Sequence, residues 1–304
     1  MTIVAGFRSD QGLVLCADTQ ETVSNLSKRN VPKLIFEPTG RLGTTQALHT
    51  DDLAAAFCGA GDGPFLDMLV REAWEAAQRG TNLENACARA TKAIKQTYRE
   101  YGEIYQPGSC PIVDLVFGLK MHGNSKLFIA NGPVINEKTE YISAGAGFYL
   151  ADFLSDRMYK PYLPLNACVI LAAYVLFQAK EHVDGCGGQS HIAVLRNEGV
   201  SGRVDSRRIE LVTKLLQSAD REIGGILLDA ADFSHDDKQF RKLGTASIDL
   251  FSALRNATMK EIEAARNSWI AVGKILGGSD YKEEPLDEFG LPMPSDSPTQ
   301  GAQR

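Results

Sequence analysis

The chain has 304 residues, of which 44% are hydrophobic, and this predicts a folded protein with a sizeable core rather than a disordered chain. Its formal net charge of -6 at pH 7 argues against a nucleic-acid partner, because phosphate neutralisation needs clustered Lys and Arg side chains. The longest apolar run, 167–177, is shorter than the ~20 residues of a membrane span, so we expect no membrane partner.

The cysteines and the start of the chain indicate the compartment. The six cysteines are scattered and form no CxxC pair, and the polar run 8–11 does not fit a signal peptide. We therefore expect free thiols and a cytoplasmic location. His182, Cys186 and His191 have no recognised metal-ligand spacing, so we predict neither a metal nor a cofactor.

The first half of the chain alternates strands and helices. Two apolar runs, 2–8 and 12–18, flank a polar turn and predict a β-hairpin. Short strands at 33–36 and 53–58 follow, and the second ends in a glycine-rich segment. Hydrophobic periodicity then predicts two consecutive helices, the second over 82–101.

The next part of the chain repeats this order. Strand composition returns at 112–120, 126–131 and 140–143, and we predict that these three strands form a second sheet. A helix to about Tyr159, an apolar helix over 165–181 and a strand at 191–196 complete the pattern. The order predicts an α+β protein, a four-layer αββα sandwich in which two stacked antiparallel sheets carry helices on their outer faces.

Three regions follow from this pattern. Residues 1–204 contain the predicted sandwich, and 205–276 read as a helical extension packed on it, with helices at 208–222 and 245–275. Residues 277–304 are rich in Gly, Ser, Pro, Asp and Glu, which is typical of a disordered tail.

Thr2 is the first candidate for chemistry. A small second residue favours removal of Met1, which would leave Thr2 with a free α-amine next to its hydroxyl. An α-amine with a pKa of ~7.7 to 8 can accept the hydroxyl proton near neutral pH. Taken alone, Thr2 is better explained as the start of an edge strand, so the case for chemistry depends on its surroundings.

Two charged residues could act on Thr2. Asp18 ends the second hairpin strand, which antiparallel pairing could bring beside Thr2, and Lys33 begins the next strand. A Lys beside the hydroxyl would favour the alkoxide, and an Asp would hold that Lys charged and oriented. The alternative is a hairpin-end Asp and a solvated Lys at a strand edge.

Other segments could support the same chemistry. Gly59 begins a Gly-Ala-Gly run whose backbone N–H groups could face a developing oxyanion, although a plain strand-to-helix turn explains the run too. Asp184 and Cys186 follow a predicted helix and could reach the site, or could simply be a helix cap and a buried thiol.

Three segments taken together resemble the opening of proteasome β subunits and of the bacterial ATP-dependent ring peptidase. They are Thr2-Ile3-Val4-Ala5-Gly6-Phe7, Gly12-Leu13-Val14-Leu15-Cys16-Ala17-Asp18-Thr19 and Val31-Pro32-Lys33-Leu34. The resemblance implies that region 1–204 is an N-terminal-nucleophile hydrolase domain. It also implies Thr2 as nucleophile, Asp18 and Lys33 as its partners, and Gly59 as oxyanion donor.

Further segments extend the resemblance and show departures from it. Gly145-Ala146-Gly147 and the segment from Asp184 through Cys186 to Gly188 resemble the family's supporting turns, but Ala146 and Cys186 stand where serines are usual. These departures keep alternatives open.

The function that the resemblance implies is a threonine-type peptidase or amidohydrolase. It would cut peptides or proteins inside a self-compartmentalised homo-oligomeric ring, with an ATPase unfoldase as a partner that could feed the ring. One alternative is a ring-forming scaffold with weak or no catalysis. Another is a hydrolase of small amides on the same fold.

Overall fold

The structure is a computed structural model that describes residues 2–23, 27–38, 53–104, 110–111 and 113–231, together with short helical segments between 242 and 264. Met1, the tail predicted over 277–304 and the end of the helix predicted over 245–275 lie outside the described residues. The described chain divides into two compact units, one up to Val204 and one from Asp205.

The regular elements follow each other as strands, a helix pair, strands, a helix pair and strands, with one more helix at the start of the second unit. In chain order they are β1 (Ile3–Ser9), β2 (Gly12–Asp18), β3 (Gln20–Val23), β4 (Ser27–Asn30), β5 (Leu34–Glu37), β6 (Ala54–Ala60), α1 (Gly63–Ala77), α2 (Leu83–Ile104), β7 (Asp114–Met121), β8 (Asn124–Asn131), β9 (Val134–Lys138), β10 (Tyr141–Gly145), α3 (Phe148–Met158), α4 (Leu165–His182), β11 (Ser190–Arg196), β12 (Gly202–Arg203) and α5 (Ser206–Ala231). The predicted α+β class is confirmed.

The strands of the first unit form two five-stranded antiparallel sheets and a separate hairpin. The first sheet has the order β10–β1–β2–β11–β12, the second has the order β5–β6–β7–β8–β9, and β3 pairs with β4. Every pairing in the three sheets is antiparallel. The first sheet contains the amino-terminal strand and therefore positions Thr2.

Apolar side chains of both large sheets meet in one buried cluster. Val4, Leu13 and Leu15 of the first sheet lie in this cluster with Phe36 and Val116 of the second sheet. Both faces of β1 and β2 are buried because α4 packs against these strands as well. This explains why both strands read as continuous apolar runs instead of alternating with polar residues.

The second large sheet has its own helical cover. Leu69 of α1 and Ile94 of α2 share a buried cluster with Phe57, Phe117 and Phe128 of the sheet. The Phe117 ring stacks on both neighbouring phenylalanine rings, with centroids 5.9 Å and 5.0 Å away. Apolar residues spaced at three and four positions along both helices provide the buried face.

The sheet membership predicted from the sequence is wrong for one strand. We expected the strand at 140–143 to extend a second sheet, but β10 pairs with β1 of the first sheet, with Ile3 opposite Gly145. The place beside β8 belongs to β9, which the sequence analysis missed. A tight turn joins β8 to β9 and makes their pairing local, whereas β10 crosses to the other sheet.

The second unit begins with α5, which is longer at both ends than the helix predicted over 208–222. Asp205 caps its start, because its Oδ1 accepts the backbone N–H groups of Arg207 at 3.0 Å and Arg208 at 3.2 Å. Across the described segments of both units, no helix is long and apolar enough to cross a membrane.

Candidate active site

The β1–β2 hairpin brings Asp18 beside Thr2. In its register Val4 lies opposite Ala17, and the backbone N–H of Ile3 donates to Asp18 Oδ1 at 3.2 Å. The hydroxyl of Thr2 donates to the same carboxylate oxygen. The turn between the strands fixes this register, so the contact follows from local structure.

The carboxylate of Asp18 is fully buried and receives donors on both oxygens. Because β11 pairs with β2, the chain just before β11 passes the end of β2, and the N–H of Gly187 donates to Asp18 Oδ2 at 2.9 Å. Lys33 Nζ lies 2.8 Å from Oδ1. A buried carboxylate is costly without hydrogen-bond partners, and these donors offset that cost.

Lys33 approaches from the residue just before β5. Its Nζ donates to Thr2 Oγ1, to Asp18 Oδ1 and to the backbone carbonyl of Gln20, and its side chain is 12% exposed. An ammonium has three N–H donors, and these three acceptors use all of them. The arrangement holds a positive charge against the oxygen of the Thr2 hydroxyl.

The β10 end holds the backbone of Thr2 from the other side. The N–H of Gly147 donates to the carbonyl oxygen of Thr2 at 3.3 Å. Gly145 has φ +87°, and a Cβ there would lie 2.4 Å from the same oxygen, so only glycine fits. Ala146, between the two glycines, lines the cavity beside Thr2.

Thr2 opens onto a cavity of about 350 Å³. Lys33 and Gly59 line it together with Thr2, so the predicted nucleophile, its cation and the predicted oxyanion donor share one cavity. Gly59 also has a packing reason, since a Cβ there would lie 2.6 Å from Leu66 Cδ2 and 2.9 Å from the carbonyl oxygen of Asp114. The close approach of strand and helix requires glycine in either role.

The two remaining predicted positions, Cys186 and Asp184, differ in burial. Cys186 is buried, and burial raises the pKa of its thiol to about 11, with a smaller contribution in the same direction from Asp18. It is therefore a neutral thiol near pH 7. Asp184 is exposed and does not belong to the cavity lining. In the described part of the chain, no group of three or more His, Cys, Asp or Glu side chains could hold a metal ion.

Several contacts of the site escaped the sequence analysis. The carbonyl of Gln20 and the N–H of Gly187 are backbone groups, which no sequence motif identifies by itself. The carboxylates of Glu21, Asp67 and Asp114 line the cavity from three different elements. Only the tertiary structure brings them together.

No protein-family model matches the chain, and no curated protein sequence does. Among solved structures it is similar to Anbu from Yersinia bercovieri, described as an ancestral beta-subunit, with a TM-score of 0.57 and 16% identity over 73% of this chain and 96% of that chain. An Anbu (Gly-1) mutant from Hyphomicrobium sp. strain MC1 has a TM-score of 0.56 and 15% identity over 74% and 97% of the two chains. The helical assembly of the Anbu complex from Pseudomonas aeruginosa has a TM-score of 0.55 and 13% identity over 73% of this chain and 95% of that chain. At these identities the likeness is one of fold.

These comparisons correct the relatives expected from the sequence. We expected the proteasome core peptidase subunits and the bacterial ATP-dependent ring peptidase, and this expectation is wrong, because the solved structures described above are Anbu proteins. The sequence resemblance was carried mainly by the first hairpin and the Lys33 segment. These segments cover only β1, β2 and the start of β5, so they sample a small part of the chain.

Proposed function

We propose that the chain is a threonine-type N-terminal-nucleophile hydrolase that cleaves peptide bonds after Met1 has been removed. The observation that carries this proposal is the hydrogen-bonded cluster of Thr2, Asp18 and Lys33 at the wall of a cavity. A hydroxyl held between a buried ion pair and a cavity is the arrangement that nucleophilic catalysis requires.

The first step of the proposed reaction forms an ester. The α-amine of Thr2 takes the hydroxyl proton while Oγ1 attacks the substrate carbonyl carbon, and the Lys33 ammonium stabilises the charge developing on Oγ1. A backbone N–H at Gly59 donates to the carbonyl oxygen as it becomes an oxyanion. The amine then returns the proton to the leaving nitrogen, the C–N bond breaks and the amine product departs.

The second step releases the acyl group. The α-amine, neutral again, takes a proton from a water molecule that attacks the ester carbonyl, and Gly59 again faces the oxyanion. Collapse of this intermediate breaks the ester bond and returns the proton to Thr2 Oγ1. Asp18 keeps its charge throughout, because its role is to hold Lys33 and Thr2 in place.

A fold, an assembly and a location accompany this proposed function. Helix pairs against two sheets that share a buried cluster support a four-layer αββα sandwich over residues 1–204, with 205–276 as a helical extension. The likeness to the Anbu helical assembly supports a homo-oligomer that confines the sites. The free state of all six cysteines supports the cytoplasm as the location. An ATPase unfoldase would then be a partner that supplies protein substrates.

One observation favours a second candidate, a ring scaffold without catalysis. Ala146 lines the cavity but has no polar side chain that could hold the amine of Thr2. A hydrolase of small amides is a third candidate, which activity on compact amides but not on peptides would identify. The amino terminus separates the scaffold from both hydrolases, because a retained Met1 leaves no terminal base.

The test is a comparison of Thr2→Ala with Thr2→Ser. Wild-type protein is first checked by intact mass and amino-terminal sequencing for a chain that begins at Thr2. Thr2→Ala should abolish peptide hydrolysis and labelling by a threonine-directed electrophile, whereas Thr2→Ser keeps a hydroxyl and should retain part of both. Both variants should assemble like wild type in size-exclusion chromatography. Hydrolysis by Thr2→Ala at the wild-type rate would exclude the proposed mechanism.

A further inference from the structure

The cavity beside Thr2 combines apolar walls with several carboxylates. Its apolar lining comes from three parts of the fold, the segment around β5, strand β6 and helix α1, and includes Val31, Ile35, Phe57, Leu66 and Val70. Glu21, Asp67 and Asp114 line the same cavity. Apolar walls beside acidic groups fit a side chain with a long aliphatic stem and a charged end.

The charges of the described lining residues favour a cation. Three carboxylates face one ammonium, Lys33, and Asp18 already neutralises that ammonium at 2.8 Å. Arg29 pairs with Glu21, with Nε and Oε2 2.6 Å apart, and so compensates one carboxylate. The described lining therefore has more acidic than basic side chains, which favours a cation over an anion as its occupant.

Asp114 has the best position to recognise a cation. It is the first residue of β7, lies opposite Ala60 in the sheet and is half-buried, so its charge is screened less than that of an exposed residue. Its Oδ1 accepts the side-chain amide of Asn131 at 2.8 Å, which fixes the carboxylate without neutralising it. Ala60, the residue opposite Asp114, directly follows Gly59, and Gly59 lines the same cavity as Thr2.

We propose that this cavity binds a Lys-like or Arg-like side chain of the substrate residue whose carbonyl Thr2 attacks, and that Asp114 determines this preference. The preference rests on the proposed hydrolase function. A neutral side chain would desolvate the Asp114 carboxylate without supplying a counter-charge, and an acidic side chain would be repelled. Selectivity therefore comes both from attraction of the cation and from the cost of the wrong occupant.

The first experiment compares peptides that differ only at this residue. Lys and norleucine have the same aliphatic stem, so their ratio of kcat/KM isolates the ammonium, and a Glu peptide tests repulsion. For wild type we expect kcat/KM of the Lys peptide to exceed that of the norleucine peptide by about tenfold, which is the size of effect that one favourable charge contact gives. The Glu peptide should have the lowest kcat/KM. Asp114→Asn should remove most of the Lys advantage.

A matched variant controls for loss of a negative charge elsewhere. Asp10 is exposed in the β1–β2 turn and does not line this cavity, so Asp10→Asn should keep the wild-type ratio. Asn at position 114 can still accept the amide of Asn131, and thermal unfolding checks that the variant is folded. A wild type that prefers norleucine or Glu, or an unchanged ratio in Asp114→Asn, would overturn the proposed preference.

Binding to a protein without the nucleophile separates this preference from hydrolysis. Acetylated tripeptide amides ending in Lys or norleucine are titrated into Thr2→Ala by calorimetry, with and without Asp114→Asn. We expect the Lys peptide to bind about tenfold more tightly, and the difference to disappear with Asp114→Asn. A Lys preference in binding without any hydrolysis by wild type would refute the hydrolase alone, whereas equal Kd values would refute the cavity preference.

Discussion

Replacement of Asp18 by Asn tests how the site keeps a buried charge. The Asp18 side chain is 0% exposed, and the Lys33 side chain is 12% exposed. Asp18→Asn removes the carboxylate that pairs with the Lys33 ammonium, and it leaves Thr2 Oγ1, the carbonyl of Gln20 and at most one amide oxygen as acceptors. Asn also turns one carboxylate oxygen into an NH₂ group, which cannot accept the N–H of Ile3 or Gly187.

The expected loss of stability is large for a substitution of this size. Removal of one partner of a buried ion pair costs about 3–5 kcal/mol. For a domain of about 150–250 residues, each kcal/mol shifts Tm by about 2–4 °C, so Tm should fall by about 6–20 °C. Hydrolysis should fall by at least ~10²-fold, because Thr2 loses its orienting acceptor.

The assay is thermal unfolding followed by circular dichroism, with a double variant as the decisive comparison. Lys33→Met alone should also destabilise, since it leaves Asp18 buried without its cation. Asp18→Asn combined with Lys33→Met should recover several degrees over either single variant while remaining inactive, because no unpaired charge is buried. Asp18→Asn with a Tm within 2 °C of wild type, a threshold of about 1 kcal/mol or less, would refute the reasoning.

Two further predictions concern the glycine turn and the thiols. Gly145→Ala should lower the free energy of unfolding, measured in urea, by at least ~2 kcal/mol, because its Cβ would lie 2.4 Å from the Thr2 carbonyl oxygen. Gly132 is the matched control, since it has φ +56° and nothing within 4 Å of an added Cβ. Gly132→Ala should therefore lose only about 1 kcal/mol. Equal losses would exclude the clash as the cause. Cys186 has a folded pKa of about 11 against an ordinary 9.0, so its thiol contributes stability below pH 9.0 that is lost as pH rises towards 11. The free energy of unfolding should therefore decline over this interval by more for wild type than for Cys186→Ala, and parallel pH profiles would contradict the assignment.

The sequence identified those features that depend on near neighbours. The hairpin that joins Thr2 to Asp18 was predictable because its turn and its two apolar runs are contiguous, and the helix over 82–101 was predictable from its periodicity. The β3–β4 hairpin and β9 were missed because their composition is more polar than that of a typical strand, as in Gln20–Val23 and Val134–Lys138.

The relatives of the chain lay beyond what these local signals could decide. The motifs around Thr2, Asp18 and Lys33 describe the site end of the fold, and a preference for one relative over another needs the rest of the chain. Three-dimensional comparison uses the backbone path over 73–74% of the chain, and it gave the similarity to Anbu. The catalytic roles of these residues remain predictions, which the Thr2 variants test.

The sequence by itself thus determined the α+β class, the alternation of strand groups with helix pairs and the local contact of Thr2 with Asp18. Only the tertiary structure decided that β10 crosses to β1 and brings Gly145 to Thr2, and that β11 beside β2 brings Gly187 to Asp18. The physical reason is that these pairings join strands more than a hundred residues apart, about the length of a small domain. Burial of the whole core selects such pairings, and no local pattern encodes them.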